Sequence, residues 1–178
     1  MRRRVTLVVV LVMLWASMPV HALTYQLELG QPELQLGLEQ LFPVSKSDPL
    51  ISIFLRDPKV LLHNGSERIG LQAGLASEIA GGISANGSVT IDGKLRYESK
   101  SGAFFLEDTR IKNLQVDGVP GFYIDQIRQS VEPIVRELMA SNPIYVLGGQ
   151  DDTLALSRQQ IRSVKVHNGK VFVELAAF

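Results

Sequence analysis

The sequence predicts an α+β domain in which one long helix packs within a strongly curved antiparallel meander sheet, and three observations carry that expectation. Between Gly121 and Ser141, Ile124, Ile127, Val131, Ile134 and Leu138 recur at spacings of three and four while Asp125, Arg128, Gln129, Glu132 and Arg136 take other positions, which is the period of an amphipathic helix. Asn-Gly dipeptides at 64–65, 86–87 and 168–169 stand between apolar-rich runs. Such a dipeptide is a strong hairpin signal, because both central residues of a type I′ turn need positive φ. Finally, Ile69, Leu71, Ala73, Leu75, Ile79 and Ile83 share one parity, and Gly70, Gly74, Gly81 and Gly82 punctuate them. Glycines at such intervals weaken a flat strand but permit the bends by which a sheet curls.

The chain opens with Arg2-Arg3-Arg4, an apolar run from Val5 to Trp15, and Val20-His21-Ala22. A basic start, an apolar core and a small-residue cleavage site make a secretory signal peptide, residues 1–22. The run from Val5 to Pro19 is 15 residues, short of the roughly 17–25 that a membrane-spanning helix needs. Cleavage after Ala22 leaves 156 residues, 23–178, as one domain with 15 basic against 18 acidic residues and a formal charge of −3. That balance offers no basic patch for nucleic acid. The chain has no cysteine, so neither disulfides nor an amino-terminal lipid anchor on cysteine is expected of this exported chain.

Leu23 to Leu29 alternates apolar and polar residues as a half-buried strand does. Pro32 and Glu33 then begin a short N-terminal helix with Leu34, Leu38 and Leu41 on one side, closed by Pro43. Ser45 to Pro49 reads as a polar loop. Leu50 to His63 is a strand interrupted at Arg56-Asp57-Pro58 by a bulge or turn, since proline cannot donate to a ladder. Asn64-Gly65 returns the chain along the glycine-punctuated strand, and Asn86-Gly87 is expected to turn it again. Val89, Ile91, Leu95 and Tyr97 make the next amphipathic strand, and Ser99 to Gly102 the next turn. From Phe104 and Leu106 to Ile111, Leu114 and Val116 the apolar parity changes twice, which predicts bulges, and Asp117-Gly118 ends the strand. The long helix follows. Pro133 inside it removes a hydrogen bond and crowds the carbonyl of Gln129, so a kink is expected there. Ile144 to Leu147 is a short strand, Gly148 to Asp152 a loop, Thr153 to Gln160 an ambiguous stretch compatible with a helical turn, and Ile161 to Leu175 a closing hairpin about Asn168-Gly169.

Catalytic and metal chemistry find little to rest on. His63 and His167 each stand beside an Asn-Gly turn with no partner at ligand spacing. Glu107 and Asp108 are adjacent on a strand, so they point to opposite faces and cannot flank one bond. Gly148 to Asp152 lacks the Lys-Ser/Thr of a phosphate loop and the spacing of a calcium loop. Asn64-Gly65-Ser66 and Asn86-Gly87-Ser88 match a glycosylation pattern that hairpin turns explain equally well. The aromatic C-terminus, Val171 to Phe178, resembles an outer-membrane barrel strand, but strands interrupted by two helices do not build such a barrel. No enzyme, cofactor or metal is expected. An amphipathic sheet facing an amphipathic helix remains, and core and pocket linings have the same composition.

Ser101-Gly102-Ala103-Phe104-Phe105-Leu106-Glu107, the proline-bearing helix at Val131-Glu132-Pro133-Ile134, Asn142-Pro143-Ile144-Tyr145-Val146-Leu147 and the opening strand and helix from Tyr25 to Phe42 together resemble the YceB-like envelope proteins of Gram-negative bacteria. The resemblance implies a fold related to the tubular lipid-binding superfamily, with a long helix inside a curved sheet and an apolar groove between them. It implies binding of a lipid or another hydrophobic ligand, by analogy of fold. This chain departs from the lipoprotein pattern in lacking the cysteine.

The expectation is therefore a non-enzymatic periplasmic protein that holds an acyl chain between helix and sheet. The expected walls are Leu71, Leu75, Ile79, Val89, Ile91, Leu95, Phe104 and Leu106, with Ile127, Val131, Ile134 and Leu138 opposite. An aliphatic chain suits them, since burial contributes about 0.8 kcal/mol per methylene without directional demands. The alternative is an envelope interaction or assembly protein with a closed core and no ligand, pairing through a strand edge such as the one near Phe178 or making transient contact with membrane or envelope proteins.

Overall fold

The computed structural model describes residues 24–47, 49–147 and 159–177. The expected signal peptide at residues 1–22, the stretch 148–152 expected as a loop, residues 153–158 of the ambiguous stretch and Phe178 lie outside them. In chain order the elements are β1 (Thr24–Gly30), α1 (Gln31–Glu39), β2 (Val44–Ser47), β3 (Ile51–Leu61), β4 (Arg68–Ile79), β5 (Ile83–Glu98), β6 (Ala103–Asp117), α2 (Gly121–Ser141), β7 (Tyr145–Val146), β8 (Gln159–His167) and β9 (Lys170–Ala177).

The strands form a six-stranded antiparallel sheet in the order β2-β3-β4-β5-β6-β7 and a separate three-stranded sheet in the order β1-β9-β8. The larger sheet is the meander read from the sequence. It curls for a reason that can be put in numbers. α2 packs on both β3 and β6, which stand three strand spacings apart, about 14 Å in a flat sheet, whereas a helix with its side chains is only about 10–12 Å across. One helix can touch both strands only if the sheet wraps towards it. Ile127, Val131, Ile134, Val135 and Met139 of α2 are buried against the sheet, and the helix runs unbroken past Pro133.

The turns did not all fall where Asn-Gly placed them. Asn168 and Gly169 both have positive φ, 49° and 71°, as a type I′ turn requires. At the first site only Gly65 does, with φ 81°. Residues 62–67 make a longer connection there, with the Ser66 N–H donating to the His63 carbonyl at 3.0 Å. That turn docks on the smaller sheet: Gly65 N–H donates to the Val166 carbonyl at 2.8 Å, and Val166 N–H to the Ser66 carbonyl at 2.9 Å. Asn86-Gly87 is no turn at all. Both residues lie inside β5, which reverses from β4 at Ala80-Gly81-Gly82 instead, where the two glycines take φ 99° and 80°. Glycine is needed at 87 because a Cβ there would overlap the Gln115 carbonyl of β6. The dipeptide marks a close backbone approach.

Other expectations are corrected by pairing. Ser45 to Ser47, read as loop, pair with β3 in the edge strand β2, whose exposed polar side chains resemble the protected edges of many sheets. The closing hairpin does not extend the meander; it joins β1, and β9 near Phe178 is the centre strand of that small sheet, so it offers no free edge. The bulges stand where proline and changes of parity placed them: the β3–β4 register shifts between Arg56 and Lys59, around Pro58, and the β5–β6 register shifts between Thr90 and Ile91 and between Asp92 and Lys94, where the parity of β6 changes.

Arg68 clamps the second β5–β6 bulge. Its guanidinium donates to Asp92 at 2.7 Å and to Asp108 at 3.0 Å and also to the Asp108 carbonyl oxygen, tying β4, β5 and β6 together where Asp108 takes φ 49°. The hydrogen bond from Arg68 holds the Asp108 carboxyl below its usual 3.8, and Arg110 adds to the effect. A carboxylate whose folded pKa is depressed contributes stability above its unfolded pKa and loses it as pH falls through the folded value. Asp108→Asn is therefore expected to lower the urea midpoint at pH 7, by a gap from the wild type that narrows progressively as the pH falls below 3.8; a gap that stays constant on acidification would contradict the clamp. Gly87→Ala is expected to cost about 1–3 kcal/mol in the same assay through steric overlap. Gly121→Ala, with nothing within 4 Å of the added Cβ, should be neutral or stabilising.

Candidate functional site

The space between α2 and the concave sheet is where the chain concentrates its apolar side chains. Along β3, Ile51, Ile53 and Leu55 alternate inward and are at most 4% exposed. The four residue steps from Ile51 to Leu55 advance about 13 Å, the same rise as Ser130 to Met139 on a helix. Strand and helix therefore frame one lane.

At one end the lane is open. A crevice of about 260 Å³ lies between Ile51 and Ile53 of β3, Lys46 of β2, and Gln129, Ser130, Pro133 and Ile134 of α2. Proline has no N–H, so the Gln129 carbonyl lacks its usual partner four residues on. At the other end is a narrower void of about 10 Å³ lined by Phe42, Leu55, Pro58, Leu71, Gln72, Ala73, Val89, Ile91, Val135 and Met139. It has room for about one water at most, and its lining is almost wholly apolar. Outside Phe42 and Pro58 lies a shallow depression of about 600 Å³ that also includes Phe54, 39% exposed.

One polar group inside the sheet is left over. Ser77 of β4 is 3% exposed, and its hydroxyl has no hydrogen-bond partner among the described residues. It pairs across the ladder with Ile53, and both are buried on the same face, so its Cβ lies about 5 Å from that of a residue flooring the crevice. An unsatisfied buried hydroxyl costs roughly 1–3 kcal/mol.

Eleven of the twelve expected wall residues are buried, and Leu138 is half-buried against the same core. The structure divides them. Leu71, Val89 and Ile91 line the void, and Ile134 lines the crevice. Leu75, Phe104, Leu106, Ile127 and Val131 are packed core at 2% exposure or less. Ile79 lies at the sheet end beside Gly81 and Gly82, and Leu95 floors a surface depression between the two sheets with Ile161 and Val164. Ile51, Ile53, Leu55, Val135 and Met139 were not on the expected walls. The alternation of 51, 53 and 55 was the available signal for the first three. Among the described residues no group of three or more His, Asp or Glu side chains is placed to hold a metal.

A helix lying in a curled antiparallel sheet, with an apolar lane that opens at one end, defines the class of architecture. By sequence the chain belongs to the family described as "Protein of unknown function (DUF1439)", which matches residues 31–170. No curated protein matches it. Among solved structures it is similar to P47 of Clostridium botulinum E1, at 11% identity and TM-score 0.39 over 74% of this chain and 35% of that one. It is also similar to a lipopolysaccharide binding protein, at 13% identity and TM-score 0.32 over 86% of this chain and 50% of that one. The chain thus spans half or less of the length of either.

Met139 closes the inner end of the lane at 1% exposure. Met139→Ala is expected to enlarge the void and cost about 2–5 kcal/mol in urea unfolding; a cost under 1 kcal/mol would mean that the neighbouring side chains collapse into the space.

Proposed function

We propose that this protein is a non-enzymatic periplasmic binding protein, exported by cleavage after Ala22, that holds a lipid or other hydrophobic ligand between α2, bent at Pro133, and the concave face of the six-stranded sheet. One observation carries the reading: an open crevice of mixed polar and apolar lining and an almost wholly apolar void are consecutive along the same lane between β3 and α2. The ligand-free lane is closed between them, at Leu55 and Val135. An acyl chain entering past Ile53 displaces these side chains and Met139, whose unbranched thioether repacks readily. Ten buried methylenes contribute roughly 8 kcal/mol, set against the cost of immobilising the chain and opening the lane.

A second reading, an envelope interaction protein with a permanently closed core, is favoured by the small size of the void, about 10 Å³. Native mass spectrometry of residues 23–178, purified without detergent from a bacterial periplasm, separates the two. An adduct of acyl-chain mass, or stoichiometric uptake of added lauric acid, is expected. Ala73→Val, which occupies the void with two added methyl groups, is expected to melt cooperatively and to weaken lauric acid binding at least tenfold. A clean ligand-free mass with no uptake favours the closed core.

A further inference from the structure

The polar groups around the crevice differ from those of a general hydrophobic site, and three of them lack the partners their chemistry calls for. Ser77 places a hydroxyl inside the sheet, beside Ile53, with no hydrogen-bond partner among the described residues. Pro133 frees the Gln129 carbonyl, and Ser130 on the same turn adds a hydroxyl at the crevice wall. Lys46 stands at the mouth, exposed, with no carboxylate in salt-bridge range among the described residues. From inside outwards the lane thus offers a buried hydroxyl donor, a backbone acceptor and a cation.

We propose that the ligand is a single-chain acyl ester bearing a free hydroxyl and an anionic head, the chemistry of a monoacylated glycerophosphate. The assignment rests on the acyl-chain reading above and names the ligand class within it. The chain lies towards Leu55 and the void. Its ester carbonyl accepts from the Ser77 hydroxyl, its free hydroxyl donates to the Gln129 carbonyl, and its anion faces Lys46. A fatty alcohol leaves Lys46 without an anion. One chain is assigned because crevice and void lie along one lane between β3 and α2.

Isothermal titration of the mature protein with three twelve-carbon probes, each below its micellar concentration, tests the proposal. Lauroyl glycerophosphate carries ester, hydroxyl and anion; monolauroylglycerol lacks the anion; dodecyl phosphate lacks the ester and hydroxyl. The wild type is expected to bind the first at least tenfold more tightly than either of the others. Lys46→Gln is expected to erase the advantage over monolauroylglycerol, and Ser77→Ala, which removes an unpaired hydroxyl without leaving a large cavity, to reduce the advantage over dodecyl phosphate while the protein melts no lower than the wild type. Lys165→Gln, an exposed change on β8 in the other sheet, is expected to alter neither. Equal affinity for all three probes overturns the head-group assignment and leaves the acyl-chain reading standing, as does a preference that survives Lys46→Gln and Ser77→Ala. Binding of none of them overturns both.

Discussion

The structure depends on one packing constraint: a single helix is shared by two strands that a flat sheet would keep apart. α2 offers β3 and β6 the same apolar stripe, so β4 and β5 between them must bend. The devices that permit the bend are spread along those strands. Bulges at Arg56–Lys59 and along β5–β6 increase local twist. Arg68 fastens one of those bulges across three strands, and Gly87 lets β5 approach β6 where a Cβ would collide. α1 braces the open side, since Gln35 accepts from the Val60 N–H at 2.9 Å and donates to the Pro58 carbonyl at 2.7 Å, satisfying backbone groups that the β3 bulge leaves unpaired.

A helix enclosed in this way can be packed to crystal-like density or left with space, and the chain does both along one axis. Towards Phe104, Leu106, Ile127 and Val131 side chains are fully buried. Towards β3 the packing loosens, first as the crevice at Pro133 and then as the void at Met139. The loosened side coincides with the departures from regular bonding: a proline in the helix, an unpaired serine in the sheet and a short polar edge strand. Protein interiors are ordinarily free of such features, and their coincidence along one lane is what distinguishes it from the rest of the core.

Much of the fold was legible because its signals are local. The helix 121–141 followed from its stripe, and the bulges in β3 and β6 from a proline and from changes of parity. The Asn-Gly rule succeeded at 168–169, where two short strands leave nothing else for the dipeptide to do. It failed at 86–87, where the requirement for glycine came from a neighbouring strand's carbonyl, a tertiary fact with no local trace. β2 was missed for the same reason: a polar edge strand is stabilised by its partner and has no apolar alternation of its own. The division of the wall residues into core, crevice and void was also out of reach of the sequence, since all twelve are aliphatic or aromatic and only tertiary packing separates them. Ser77 sat unremarked in an alternating run, and it became informative only once its environment was known.

Nuclear magnetic resonance on methyl-labelled mature protein with bound lauroyl glycerophosphate tests the central claim most directly, because it reports where the chain lies. If the lane between β3 and α2 opens to take an acyl chain, intermolecular contacts run in order from Ile53 through Leu55 and Val135 to the Met139 methyl. Contacts confined to exposed apolar residues such as Leu36 and Phe122, with the Met139 methyl unchanged, would contradict it.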